Sequence, residues 1–204
     1  ARAHPIQGLV KYHGMRDPEL RLPYHDSISV CTAPTNTTTT VEWLTDIDAE
    51  GGNQDTYRID DEVVEGRAAE RINMVVDHVR ELADFDHAIH FESKNSFPSN
   101  IGFGSSSSGF AAAAMALVEA AGLDMSLPEI STVARRGSSS AARAVTGAFS
   151  HLYAGLNDED CRSYRLESDL EDDLKIVAAH VPSYKETEEA HKEAAESHMF
   201  QARV

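Results

Sequence analysis

Lysine, cysteine and long apolar runs are all scarce in this chain of 204 residues. Only 5 of its 18 basic residues are lysine, against 34 acidic residues, and the formal net charge is −16. So large a negative charge argues against nucleic acid and anionic membranes as partners. No apolar run approaches the ~18 residues that span a bilayer, and no secretory signal is visible. Cys31 and Cys161 form neither a disulfide framework nor a metal-ligand spacing, which favours a reducing cytoplasm.

The acidic residues gather in short, surface-like stretches, for example residues 46–50 and 167–173. Concentrated salt screens the repulsion between such charges, so an acidic, lysine-poor surface is favoured in a salt-rich cytoplasm. We therefore expect a halophilic protein. The 10 histidines show no repeated i, i+4 pair, so no metal site on the protein is predicted.

Short β-prone runs, separated by turn residues, dominate the first half of the chain. These runs are residues 7–12, 27–33, 37–43 and 89–93. One helix is predicted between them, over residues 67–82. Its apolar face comprises Ala68, Ile72, Val75, Val76 and Val79.

The second half reads as mostly helical. Ser126, Pro128 and Glu129 form a helix start with a capping box, and that helix should end near Gly137. Further strands are predicted at residues 150–156 and 174–180, and a charged helix at residues 186–199. Strands followed by helices that cover one face indicate an α+β fold. Because residue 1 is not methionine and the final helix has no cap, we expect part of a longer protein.

Residues 97–110 read FPSNIGFGSSSSGF and precede a helix-forming run. Gly102 and Gly104 let the backbone approach a ligand, and the first amides of the following helix lie at the positive end of its dipole. Four hydroxyls add donors there: Ser105, Ser106, Ser107 and Ser108. The pattern predicts an anion site, most plausibly for a nucleotide phosphate. The alternative is a serine-rich helix cap, and the absence of lysine after Gly104 excludes a P-loop.

A second glycine-serine segment, GSSSAAR, occupies residues 137–143. Arg143 follows the serines by one helical turn, where a guanidinium could clamp a carboxylate or phosphate bidentately. The alternative is an exposed helix arginine. Lys11 interrupts an apolar strand, so it is either a charge that protects a sheet edge or a site residue.

Three segments in order resemble the GHMP family of small-molecule kinases and decarboxylases, and within it the mevalonate diphosphate decarboxylases. Residues 9–30, LVKYHGMRDPELRLPYHDSISV, resemble that family's KYWGKRD…LP…SSISV segment. Residues 96–110 are similar to its ATP loop, and residues 134–149, ARRGSSSAARAVTGAF, to its RxGSGSACRS segment. The acidic surface and the form KYHGM look most like the haloarchaeal branch, which acts on phosphomevalonate.

The resemblance implies a two-layer GHMP domain of the ribosomal protein S5 domain 2 type at residues 1–180. Residues 181–204 would begin a ferredoxin-like C-terminal domain. It also implies that the 3-hydroxyl of a phosphorylated mevalonate is phosphorylated by ATP with Mg²⁺, after which phosphate and CO₂ leave. The partner is then a small-molecule substrate, and the family is compatible with a homodimer.

The resemblance also assigns site residues. Lys11 and Arg143 would be catalytic, with Arg143 orienting the carboxylate and Lys11 stabilising the transferring phosphoryl group. The substrate would bind Tyr12, His13, Gly14, Met15, Arg71, Ser138, Ser139, Ser140 and, less surely aligned, Thr187. ATP would bind Lys94, Asn95, Ser96, Asn100, Gly102, Gly104 and the four serines from Ser105 to Ser108.

Two departures from the family pattern affect these expectations. The family's catalytic aspartate would lie beyond residue 204, so no catalytic carboxylate is assigned. The lysine that closes the family's KYWGK is Met15 here, which favours a monophosphate substrate over a diphosphate.

Two other function classes stay open at this point. One is a plain kinase such as mevalonate kinase, which has no need of a carboxylate clamp at Arg143. The other is a non-catalytic GHMP-like interaction module, which would have no reason to keep an intact glycine-serine loop.

Overall fold

The computed structural model describes residues 1–45, 54–99, 102–179, 196–198 and 202. Asn100 and Thr187 lie outside the described residues. So do all of residues 46–50 and most of the expected second domain at residues 181–204, including nearly all of the helix predicted at 186–199.

The described part contains eleven strands and five helices, several of them very short. The strands are β1 (Arg2–Ala3), β2 (Ile6–Val10), β3 (Met15–Asp17), β4 (Leu22–Pro23), β5 (Ser27–Cys31), β6 (Thr37–Leu44), β7 (Thr56–Ile59), β8 (Glu62–Val63), β9 (Ala88–Asn95), β10 (Phe149–Leu152) and β11 (Ser163–Arg165). The helices are α1 (Gly66–Ala83), α2 (Ser105–Ala120), α3 (Leu127–Gly137), α4 (Ala141–Thr146) and α5 (Leu170–Asp173).

The strands form two larger sheets and a separate hairpin. One sheet has the order β1-β6-β9-β7-β8, the other has the order β11-β10-β5-β2, and β3 pairs with β4. All of these pairings are antiparallel except that of β7 with β9. The predicted α+β architecture is therefore confirmed.

The core lies where the helices pack on the sheets. Alternation along β9 turns Ile89, Phe91 and Ser93 inward, toward the apolar face of α1. Helix α2 is buried along most of its length because its alanines allow close approach from several sides. The predicted face of α1 is confirmed at Ile72, Val75, Val76 and Val79. Ala68 is the exception, because it is exposed and lines an open cavity instead of packing in the core.

Two strand predictions in the second half need correction. The strand predicted at 150–156 ends at Leu152, since Gly155 takes a positive φ of 64° that turns the chain. Residues 174–179 were expected to be a strand and form none, because no described strand pairs with them.

The capping box at Ser126 is confirmed: the Ser126 amide donates to Glu129 Oε2 over 2.8 Å. No described helix is long and apolar enough to cross a membrane.

Candidate active site

The glycine-serine loop turns into α2 at Gly104, which takes a φ of 84°. A Cβ at this position would lie 3.2 Å from the Ile6 carbonyl oxygen and 3.0 Å from Ser107 Oγ. Both the backbone conformation and the close approach therefore require glycine. Gly102, with a φ of 80°, makes the preceding turn. The free amides of the first turn of α2 consequently point out of the end of the helix, as the sequence predicts.

The four serine hydroxyls of this loop divide into two pairs. Ser107 and Ser108 are buried: Ser107 Oγ donates to the Gly104 carbonyl over 2.6 Å, and Ser108 Oγ bonds Thr37 Oγ1 over 2.6 Å. Ser107 Oγ also accepts the Ile6 amide over 3.3 Å, so Ser107 and Ser108 attach the start of α2 to β2 and β6. Ser105 and Ser106 instead line a cavity. The structure thus gives Ser107 and Ser108 a packing role and leaves two hydroxyls facing a ligand site.

That cavity, which we call the nucleotide cavity after the ligand expected from the sequence, has a volume of about 550 Å³. Its apolar lining comes from the β7–β8 hairpin, β9 and both neighbouring helices, and includes Ile59, Val63, Val64, Ala68, Phe91 and Phe110. Its polar lining includes Thr37, Asn95, Ser99, Arg71, Ser105 and Ser106. An apolar slot beside a helix start with hydroxyls suits a planar base at one end and phosphates at the other.

Strand β9 brings only part of its predicted ATP segment to this cavity. Asn95 lines it and is fixed by a bond of its Nδ2 to Asp60 over 3.0 Å. Lys94 projects from the opposite face of the sheet, because neighbouring strand residues alternate. There its Nζ lies 2.9 Å from Asp61 Oδ1, and that carboxylate raises the pKa of Lys94. Ser96 is exposed and its Oγ accepts the Asn36 amide over 2.8 Å, so neither Lys94 nor Ser96 belongs to the lining.

Arg71 links the nucleotide cavity to the second glycine-serine segment. Its guanidinium lies 4.9 Å from the Phe110 ring centroid, and its NH2 group donates to the Gly137 carbonyl over 2.7 Å. A Cβ on Gly137 would overlap the Phe110 ring, so this glycine is required by close packing. The structure therefore places Arg71 between the nucleotide cavity and the start of the second glycine-serine segment.

Arg143 is buried, with 2% of its surface exposed. It donates to Ser27 Oγ, and its guanidinium carbon lies 5.6 Å from the ring centroid of Tyr12, which is itself buried. The alternative of an exposed helix arginine is therefore wrong. Among the described residues no carboxylate forms an ion pair with Arg143, and its buried Nε has no hydrogen-bond partner. Burial lowers the pKa of this guanidinium. The result is a buried cation with unused bonding capacity.

The serines of the second segment also divide. Ser138 Oγ and Ser140 Oγ lie 2.9 Å apart at the junction of α3 and α4. Ser139 Oγ turns away and donates to the Arg21 carbonyl over 2.8 Å. Ser138 and Ser140 thus remain available to a ligand near Arg143, whereas Ser139 is engaged with the protein itself.

The segment after β2 carries the other predicted substrate residues. Gly14 takes a φ of 71°, which turns the chain into β3, and His13, Gly14 and Met15 are half-buried. Lys11 is exposed directly after β2, which is an edge strand of its sheet. Both readings of Lys11, as an edge charge and as a site residue, are compatible with this position.

Sequence reasoning missed several residues of the site. Arg135 and Arg136, which lie just before the second glycine-serine segment, both bond the carboxylate of Asp158. Nothing in the local sequence pairs these arginines with a carboxylate 22 and 23 residues further on. Ser27, which bonds Arg143, was likewise missed because it is 116 residues away.

Comparisons with known proteins give the family that the sequence of the chain matches. Residues 3–163 match the family model described as the diphosphomevalonate decarboxylase-like N-terminal domain. The chain is 74% identical over 204 residues to a phosphomevalonate decarboxylase of Haloferax volcanii, covering all of this chain and 61% of that protein.

Comparison with solved structures shows that the chain has the fold of this family. The mevalonate diphosphate decarboxylase of Staphylococcus aureus matches with a TM-score of 0.77 and 35% identity, over 90% of this chain and 56% of that one. A structure of MDDEF in complex with MVAPP, AMPPCP and magnesium matches with a TM-score of 0.76 and 31% identity, over 83% of this chain and 50% of that one. The chain thus spans between half and two thirds of the length of these relatives.

Proposed function

The chain belongs to the diphosphomevalonate decarboxylase family, and from that premise we propose that the whole protein is an ATP-dependent phosphomevalonate decarboxylase. In the proposed reaction the γ-phosphoryl group of ATP passes to the 3-hydroxyl of the substrate. The bond to the carboxylate carbon then breaks, and its electron pair forms the new double bond as phosphate leaves. The products are ADP, phosphate, CO₂ and an isopentenyl phosphate. The GHMP-type fold of the relatives is shared by this chain.

The observation that carries the proposal is the buried Arg143. A buried cation is expensive unless an anion compensates it, and no described carboxylate does so. The substrate carboxylate is an anion of matching shape, because the planar guanidinium can hold both of its oxygens. Holding the carboxylate fixes the bond that must break, while Ser138 and Ser140 stand beside it as hydroxyl donors.

We assign ATP to the nucleotide cavity. The base would occupy the apolar slot near Phe91 and Phe110, and the phosphates would meet the start of α2 at Ser105 and Ser106. Asn95 lines the same cavity, Gly104 sets the turn from which Ser105 and Ser106 follow, and Asn100 is proposed as a further ligand from the loop. Mg²⁺, bound together with the nucleotide, supplies positive charge that the loop lacks. The AMPPCP and magnesium in the MDDEF complex support the use of ATP with Mg²⁺.

The phosphate end of the substrate is proposed to lie at Tyr12, His13, Gly14 and Met15, with Lys11 near the transferring phosphoryl group. Met15 offers no charge to a second phosphate, so we propose 5-phosphomevalonate as the preferred substrate. The name of the Haloferax relative supports this choice. Thr187 stays a proposed substrate contact.

We further propose that the protein acts in the cytoplasm on a small-molecule substrate. A homodimer is compatible with the proposal. The halophilic character predicted from the composition agrees with the match to the Haloferax protein.

The test uses the full-length protein with ATP, Mg²⁺ and 5-phosphomevalonate in a buffer of high salt concentration. We expect CO₂, phosphate and ADP in equal amounts. A plain kinase would release ADP without CO₂, and a non-catalytic module would release neither. Either result would refute the proposal.

A further inference from the structure

Arg135 is a fully buried arginine, with no exposed surface. All three guanidinium nitrogens donate hydrogen bonds. One bonds the Leu20 carbonyl, another bonds both the carboxylate and the carbonyl of Asp158, and Nε bonds the Cys161 carbonyl over 3.3 Å. Such a set of bonds fixes the direction of a planar group.

The bonds of Arg135 join three separate parts of the chain. Leu20 lies in the turn of the β3–β4 hairpin, 115 residues before Arg135, whereas Asp158 and Cys161 belong to the loop between β10 and β11. The hairpin is tied to that loop a second time, because Arg16 donates to the Ala154 carbonyl over 2.9 Å. The guanidinium thus closes the junction between the hairpin, the loop and α3.

Both proposed substrate segments continue directly from this junction. The β3–β4 hairpin begins at Met15, the last residue of the Tyr12–Met15 segment. Helix α3 ends at Gly137, two residues after Arg135, and leads into Ser138. A second bond spans the same gap, from Ser139 Oγ to the Arg21 carbonyl over 2.8 Å. The distance between the two segments therefore depends on Arg135 and Ser139.

We propose that Arg135, assisted by Ser139, is a positioning residue that holds the phosphate end of the substrate site at a fixed distance from Ser138, Ser140 and Arg143. The role in catalysis rests on the proposed function. Arg135 touches no ligand in this scheme; it acts through the hairpin. A lysine cannot replace it, because one ammonium group cannot hold the Leu20, Asp158 and Cys161 oxygens in one plane.

Arg136 provides a matched control. It is the neighbouring residue, carries the same charge and bonds the same carboxylate, with its NH2 group 2.5 Å from Asp158 Oδ2. It has no bond to the hairpin among those of the described residues. Arg135→Lys and Arg136→Lys therefore make the same chemical change beside the same partner.

The experiment compares these two variants with the unmodified full-length protein. We expect Arg135→Lys to raise the KM for 5-phosphomevalonate at least tenfold and to speed hydrogen exchange of the amides in residues 15–23. The affinity for AMPPCP with Mg²⁺, measured without the second substrate, should stay within twofold, because no bond of Arg135 reaches a residue that lines the nucleotide cavity. Arg136→Lys should leave all three quantities within twofold of the unmodified protein.

Two results would overturn the proposal. One is an Arg135→Lys protein that folds and keeps the original KM and hairpin exchange. The other is exchange that rises evenly through the fold together with a loss of nucleotide affinity, since that is a purely structural effect. If Arg135→Lys does not fold, Ser139→Ala decides, with a smaller rise in KM and in hairpin exchange expected and no change refuting the proposal. An unmodified protein without turnover would refute the proposed function alone, because hairpin exchange still tests the positioning.

Discussion

Two buried arginines, eight residues apart in sequence, are treated in opposite ways by the fold. Arg135 has a carboxylate from Asp158 and hydrogen bonds on all three nitrogens. Arg143 has a bond to Ser27 and the ring of Tyr12, but no described carboxylate and an unpartnered Nε. A buried charge that the protein satisfies supports the structure, whereas one that it leaves unsatisfied is suited to an anionic ligand. The two sites should therefore respond differently to the same substitution.

Arg135→Met should give the largest effect, in stability. The substitution keeps most of the volume but leaves the Leu20, Asp158 and Cys161 oxygens without their donor. Breaking a buried ion pair on one side costs about 3–5 kcal/mol. Urea unfolding of the full-length protein would measure the loss, and a change below about 1 kcal/mol would mean that the junction is not held by this side chain.

Arg143→Met makes the same change at the other site, where we expect turnover and not stability to be lost. Because the substitution leaves no protein carboxylate without its ion-pair partner, the free energy of unfolding should stay the same or rise. The turnover rate should fall, because about 2–4 kcal/mol of transition-state stabilisation is lost, by analogy with deletion of an oxyanion-hole donor.

Arg143→Lys sharpens this prediction. It should be nearly as inactive as the methionine variant, because a point charge cannot replace the planar fork. Single-turnover release of CO₂ measures the effect. A lysine variant with nearly normal turnover would remove Arg143 from the proposed chemistry.

Gly137→Ala tests the contact that lies between the two arginines. The added methyl group would meet the Phe110 ring, and overpacking of this kind costs about 1–3 kcal/mol. Phe110→Leu in the same protein should recover part of the loss, because it opens space at that point. A double-mutant cycle measures this coupling. Simple additivity of the two changes would show that the close contact has no energetic weight.

Met15→Lys adds a cation at the proposed phosphate end. We expect the ratio of kcat/KM values to shift toward the diphosphate substrate by about 1 kcal/mol, or roughly fivefold. Parallel kinetics with 5-phosphomevalonate and its diphosphate counterpart give this ratio. A clear preference of the unmodified enzyme for the diphosphate would contradict the assignment.

The smallest effect is expected at His78, which interacts with Arg136 and Asp158 beside the Arg135 site, and it concerns how the free energy of unfolding depends on pH. Burial lowers the pKa of His78, and the nearby Arg136 guanidinium lowers it further, while Glu81 at 3.6 Å and Asp158 oppose them. Since the folded pKa lies below the ordinary value of 6.5, the neutral ring is favoured by folding. The contribution of His78 to the free energy of unfolding is therefore present above pH 6.5 and is lost as the pH falls through the lowered pKa.

The measurement is the free energy of unfolding between pH 7.5 and 5, as the ordinary His pKa of about 6.5 dictates. His78→Gln should reduce the decline on the acid side. An unchanged pH slope in the variant would assign the decline to other groups.

The sequence predicts those parts of the fold that depend on local pattern. The apolar spacing of α1 and the capping box of Ser126 are local signals, and both are confirmed. The family resemblance and the GHMP-type fold are also confirmed. Strands of two or three residues, such as β1 and β3, carry no periodicity and exist only because a partner strand lies beside them.

The sequence predicts which residue types the site contains, but not which individual side chains are free to meet a ligand. A run of four serines predicts donors at a helix start, but the buried hydroxyls of Ser107 and Ser108 bond Ile6 and Thr37, which are far away in sequence. Likewise, the local sequence does not distinguish Arg135, Arg136 and Arg143. Only the structure shows that the first two form ion pairs with Asp158. The distinction between a structural and a ligand-binding charge therefore arises from tertiary contacts.

The bond from Arg71 to the Gly137 carbonyl has a thermodynamic consequence. Arg71 also lines the nucleotide cavity, so a phosphate that draws its guanidinium inward must alter the bond to Gly137 and with it the segment that carries Ser138. Linkage then requires reciprocity: whatever factor nucleotide binding contributes to the affinity for the second substrate, that substrate returns to the affinity for nucleotide. Titration of each ligand in the presence and absence of the other would yield the same coupling free energy from both directions.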